Sequence, residues 1–157
     1  MTTTAQETET DPTTANATPA ADAPPAAAPQ AEAVIDLDAV AHNVRILREH
    51  AGDAAVMAVV KADAYNHGAV PVARAALAAG ARELGVTTLA EGIELKNAGI
   101  TAPVLSWLHT ADADYAPAIA AGVEVGLSSP RHLAAVVAAA REVGTPATGT
   151  IKVDIGL

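Results

Sequence analysis

The sequence contains no cysteine and no phenylalanine, and its aromatic residues are Tyr65, Trp107 and Tyr115. The first absence excludes disulfides and thiolate metal sites. The second leaves alanine and valine to fill the core, so burial per residue is small and alanine's helix propensity must compensate. A net charge of −9 argues against nucleic acid or an anionic membrane as principal partner. No apolar run approaches the roughly 20 residues of a spanning helix. The N-terminus also lacks the basic and apolar parts of a signal peptide, so the cytoplasm is the expected compartment. No Gly-x-Gly-x-x-Gly follows the first strand, and no Walker loop or His-Glu-x-x-His occurs. The histidines show no metal spacing either, which leaves a nucleotide fold and a zinc site without support.

What is present divides into two regions. Residues 1–32 hold Thr, Ala, Pro and five acids with no base, and show no hydrophobic period. They read as a disordered tail. From 33 to 157 helical and strand patterns alternate. Asp36 or Asp38 can cap a helix reaching about His50, with Val40, Val44 and Leu47 on one face. Further helices are expected over 69–79, 89–97, 112–121 and 130–143. Gly80, Gly99 and Gly122 stop the first three of these, and Pro130 stands in the first turn of the last, after Ser128 or Ser129. Strands begin near 56, 84, 103, 123 and 150. Such β-α alternation demands a parallel α/β sheet with right-handed crossovers. A doubly wound sheet or part of a (β/α)8 TIM barrel would satisfy it.

The most informative stretch is Val56-Met57-Ala58-Val59-Val60-Lys61-Ala62-Asp63-Ala64-Tyr65-Asn66-His67-Gly68. Its apolar part reads as a strand buried on both faces, and it ends abruptly in a lysine. Burial of an ammonium lowers its pKa and yields a base or nucleophile. The plainer reading is a lysine whose head reaches solvent from the strand end. Active residues at strand C-terminal ends are the signature of the barrel. The chain has three lysines, Lys61, Lys96 and Lys152, and two of them fall on strands of one sheet. Thr150, Lys152 and Asp154 alternate with Ile151, Val153 and Ile155, which places the polar three on one strand face.

Val60-Lys61-Ala62-Asp63-Ala64-Tyr65-Asn66-His67-Gly68 closely resembles the pyridoxal-phosphate lysine motif of alanine racemases. The resemblance continues through Ile35-Asp36-Leu37, Pro103-Val104-Leu105-Ser106-Trp107-Leu108-His109 and Ile151-Lys152-Val153-Asp154-Ile155-Gly156-Leu157. It implies that Lys61 binds pyridoxal 5'-phosphate covalently and then serves as general base on one face of the amino acid Cα. It also implies that Tyr65 contacts the cofactor phosphate, and that Lys152 corresponds to a lysine open to carbamylation. The implied reaction interconverts L- and D-alanine for peptidoglycan synthesis, in a homodimer whose second acid/base is a tyrosine from the partner's C-terminal domain. Asn66 stands where the family usually has glycine, and Ile155 where it has threonine. Asparagine is among the few residues tolerant of positive φ. Trp107 reads as barrel packing or as a wall of the cofactor pocket, and Tyr115 as a helix-face residue. Asp112 and Asp114 read as helix-start acids.

A complete barrel takes about 250 residues. Residues 33–157 therefore read as an incomplete N-terminal part of the racemase barrel, about five βα units, and are expected to be inactive alone. A compact five-stranded domain, a single-domain pyridoxal-phosphate barrel of cofactor homeostasis and a non-catalytic remnant are the other readings.

Overall fold

A computed structural model describes residues 31–153, 155 and 156. The expected tail lies outside this range apart from Ala31 and Glu32, and so does Asp154.

Five strands, β1 (Met57–Val59), β2 (Glu83–Val86), β3 (Val104–Ser106), β4 (Glu124–Leu127) and β5 (Gly149–Ile151), form one sheet in the order β1-β2-β3-β4-β5. Every neighbouring pair is parallel. Between them run α2 (Lys61–Asn66), α3 (Ala69–Ala78), α4 (Leu89–Asn97), α5 (Ala116–Ala120) and α6 (Pro130–Val143), and α1 (Leu37–Ala51) precedes β1. The unbroken order decides between the two candidate sheets. A doubly wound sheet reverses its order at a switch point and needs helices on both faces. Crossovers of one hand stepping always in one direction put the helices on one face, the (β/α)8 arrangement.

That helix-covered face is the core. Val60, Leu84, Val86 and Val104 cluster with Ala73 of α3 and Leu95 of α4. Val125 clusters with Ala118, Ile119, Val136 and Ala139. Leu84, Val86, Val104 and Val125 are fully enclosed, and each such side chain is worth about 1.5–3 kcal/mol. Ser106 is the buried polar residue of this layer, and its hydroxyl donates to Thr87 O at 3.1 Å. The alternate strand positions, among them Met57, Val59, Gly85, Leu105, Trp107, Glu124 and Gly126, belong to the second face. Val59 there is 51% exposed. The lysine strand is thus buried on one face, not two, among the described residues.

The helix signals hold with two corrections. Asp36 is the N-cap of α1, its side chain accepting from Ala39 N at 3.0 Å, and Ser129 caps α6. Leu47 is 59% exposed, however, so the buried side of α1 is centred on Val44 and Ala41. The helix expected over 112–121 shortens to Ala116–Ala120. Pro117 has no N–H to give a carbonyl one turn back and its ring would clash there, so the helix cannot start at Asp112. No helix among the described residues is long and apolar enough to cross a membrane.

Candidate active site at the C-terminal rim of the sheet

Val60 closes β1, donating to Gly85 O at 2.9 Å, with its side chain sealed among the helix-side residues at 2% exposure. Lys61 follows at the C-terminal end of the strand and is half-buried. The backbone then reverses hand. Ala62, Asp63, Ala64, Tyr65 and Asn66 all have φ between +50 and +65°. Asn66 at φ +65° is the asparagine that positive φ tolerates, but the four residues before it were not expected there. Left-handed L-residues cost about 1–2 kcal/mol each, so such a turn persists only when its surroundings over-determine it.

The restraints are present. Ala62 N donates to Glu91 Oε1 at 2.7 Å and Ala69 N to Asp63 Oδ1 at 2.6 Å. Gly68 N donates to Asp63 O at 3.1 Å, and His67 Nδ1 lies 2.8 Å from Ala64 O and 3.0 Å from Tyr65 O. Both neighbours of that nitrogen are carbonyls, which assigns the ring proton to Nδ1. His67 therefore supports the turn. The result brings Tyr65 back over Lys61, whose Nζ lies 4.5 Å from the ring centroid. Cation and aromatic face attract at that range, and Tyr65 remains 66% exposed.

Glu91 is the residue that sequence reading missed. Its Oε2 accepts from Thr87 N, Thr87 Oγ1 and Thr88 N, each at 2.9 Å, while Oε1 takes Ala62 N. Burial alone would raise its pKa. The hydrogen bonds from Thr88, Ala62 and Thr87 outweigh burial and lower it to about 2. The local signal was available, since Thr88-Leu89-Ala90-Glu91 is a capping box. The reach to Ala62 is tertiary and has no local signature.

Trp107, just past β3, lies across the second face. A Cβ on Gly85 would come within 2.6 Å of its ring, and one on Gly126 within 3.0 Å of its Cα. Gly85 makes the floor on which the indole lies, and Gly126 leaves room for the Cα and Cβ of Trp107. Tyr115 is not a helix-face residue. It is 2% exposed, its hydroxyl donates to Thr110 O at 2.7 Å, and His109 Nδ1 stands 3.0 Å from that oxygen. His109 is held below its usual pKa by burial and by the neighbouring His132, against the Ser106 carbonyl. Asp112 and Asp114 lie ahead of α5, and Asp114 Oδ1 accepts from Ala116 N at 3.3 Å.

Lys152 sits one residue past β5, its backbone N–H donating to Leu127 O at 2.8 Å. Thr150, on the same strand parity, bonds Glu124 of the second face. Lys61 and Lys152 therefore occupy one rim, at the two opposite edges of the sheet. The structure joins Lys61 to Tyr65 and leaves Lys152 apart, in exposed surroundings.

A half-buried amine at a strand rim with a phenol against it suits an aldehyde-bearing phosphate cofactor. The amine is only partly covered and can be reached. Comparison with known proteins shows the family. The family model for the alanine racemase N-terminal domain matches residues 35–157. An alanine racemase from Mycolicibacterium smegmatis is 66% identical over 127 residues, 81% of this chain and 33% of that protein. The structure of alanine racemase from Streptomyces coelicolor matches with TM-score 0.75 and 46% identity, over 78% of this chain and 33% of that one. A histidine racemase from Leuconostoc mesenteroides matches at TM-score 0.69 and 29% identity, over 77% of this chain and 32% of its own. The chain thus spans about a third of the length of the curated relatives it matches. With five parallel strands in sequence order, the lysine motif at their rim and identity of this extent, the chain belongs to the alanine racemase family.

Proposed function

We propose that this chain is the cofactor-lysine portion of a cytoplasmic, homodimeric, pyridoxal-phosphate-dependent racemase that interconverts L- and D-alanine for cell-wall synthesis. The carrying observation is Lys61 at the C-terminal rim of the sheet with Tyr65 folded back to its amine. Lys61 would hold the cofactor by its aldehyde and Tyr65 by its phosphate. Bound there, pyridoxal phosphate supplies an electron sink that makes the Cα proton of an amino acid removable. The Lys61 amine would take or return that proton on one face. Lys152 would stand across the rim as the carbamylation-prone lysine of the family.

Racemisation needs a second acid/base on the other face of Cα, and we place it outside residues 1–157. The choice of alanine rests on the 66% identical relative. A histidine racemase shares the same portion of the fold, so this portion supplies racemase chemistry more than side-chain selection.

The test is borohydride fixation of pyridoxal phosphate on the purified chain, followed by peptide mapping and chiral analysis of alanine and histidine turnover. A pyridoxyl group on Lys61, absent in Lys61→Ala, is expected, without turnover of either amino acid. Fixation elsewhere, or racemisation that survives Lys61→Ala, overturns the proposal.

A further inference from the structure

The left-handed turn behind Lys61 is expensive, and the tie nearest the lysine comes from another strand's loop. Glu91 divides its two oxygens between two loops: Oε2 collects three donors from Thr87 and Thr88, and Oε1 takes the single N–H of Ala62. Ala62 is the first left-handed residue, directly after Lys61. Released from Oε1, that peptide could relax toward the right-handed basin, which would carry Tyr65 away from the Lys61 side chain and leave the amine undirected.

We infer that Glu91 is a positioning residue for Lys61, fastening the first peptide of the left-handed turn to the loop that follows β2. The inference rests on the reading of Lys61 as the cofactor lysine for its meaning, but not for its geometry. Every partner of Glu91 is a donor, and a carboxylate can only accept. An amide cannot replace it. Glutamine in either orientation turns its NH2 toward a donor, at Ala62 or at the Thr87–Thr88 loop. Aspartate, one methylene shorter, can serve the threonine loop without reaching Ala62. Thr88→Ala removes the hydroxyl that accepts from Glu91 N at 3.3 Å and leaves the Ala62 bond in place. These three changes separate capping of α4 from positioning of Lys61.

The experiment has two arms on the 1–157 chain. Without cofactor, amide hydrogen exchange of Ala62 is followed by NMR. With pyridoxal phosphate and borohydride, the ratio of label on Lys61 to label on Lys152 is read by peptide mapping. Glu91→Gln and Glu91→Asp are each expected to raise Ala62 exchange about tenfold or more, the worth of a hydrogen bond to a charged group. The Lys61:Lys152 ratio should fall by a similar factor. Thr88→Ala should keep both readouts within about twofold of wild type, since neither depends on the cap alone. Wild-type exchange and labelling in a folded Glu91→Gln chain overturns the inference, as does a Thr88→Ala chain that behaves like Glu91→Gln. Should Glu91→Gln fail to fold, Glu91→Asp decides by the same criteria. If the wild type takes no label at Lys61, the proposed function fails, and the exchange arm still decides what Glu91 holds.

Discussion

Val60-Lys61 and Ile151-Lys152 are the same pattern twice, an aliphatic residue and a lysine at the end of a parallel strand. The structure treats them differently. Val60 is 2% exposed and Ile151 is 75% exposed. Beyond Lys61 the chain enters a left-handed turn held by Glu91 and Asp63. Beyond Lys152 it continues without assigned helix or strand as far as it is described. The difference lies in what covers each strand. β1 is backed by α3, whose Ala73 joins Val60 in the core, whereas Ile151 lines an open apolar groove with Leu133 and Val137 of α6. A lysine at a strand end becomes a directed group only where its neighbours are fixed on both sides.

The sharpest way to break this comparison is to truncate the aliphatic partner of each lysine. Val60→Ala should lower unfolding free energy by about 2 kcal/mol, from lost burial and the void it leaves. Ile151→Ala should stay within about 0.5 kcal/mol, as exposed positions do. Urea denaturation followed by circular dichroism measures both. Equal losses would mean that the two edges are equally packed.

A smaller effect concerns acid. Glu91, depressed to about 2 in the fold from an ordinary value of 4.5, contributes stability that is fully present above pH 4.5. That contribution is lost as pH falls through about 2. Wild type should therefore exceed Glu91→Gln by about 1.5 kcal/mol at pH 6, a figure already reduced for solvent around a half-exposed carboxylate. The gap should close by about pH 2. No Glu91 tie exists beside Lys152, and Lys152→Ala should shift the acid profile little. A gap that persists unchanged at low pH would mean that Glu91 acts through shape and not through charge.

Much of the fold was legible because its signals are local. Asp36 and Ser129 cap where small acceptors stand before apolar periods, and Gly80 and Gly99 stop helices with positive φ. The place of Lys61 at a strand end was legible because a charge interrupts an apolar run, whereas its reading as a cofactor lysine came from the resemblance of residues 60–68 to the racemase motif. The left-handed turn was not, since alanine and tyrosine carry no preference for that hand and its restraint arrives from a residue 29 positions after Ala62. The burial of Tyr115 was hidden for a similar reason. Its hydroxyl partners, Thr110 O and His109, lie in the β3–α5 loop, whose path Pro117 fixes by shortening α5.

Asn66 offers the finest test, because its identity, like that of Asp63, already suits the left-handed backbone, while the Ala69 tie rests on Asp63 and not on Asn66. At φ +65° an alanine loses the local side-chain compensation that lets asparagine occupy this basin. Asn66→Ala should cost about 1 kcal/mol, and Asn66→Gly, which restores the family's usual residue, should fall within about 0.5 kcal/mol of wild type. The same pair of changes at Asn97, the last residue of right-handed α4, should reverse in order, with alanine the better tolerated. Thermal unfolding of the four variants reads the sign directly. If alanine and glycine rank alike at both sites, the turn that presents Lys61 is not left-handed in solution, and the contrast with Lys152 reduces to burial alone.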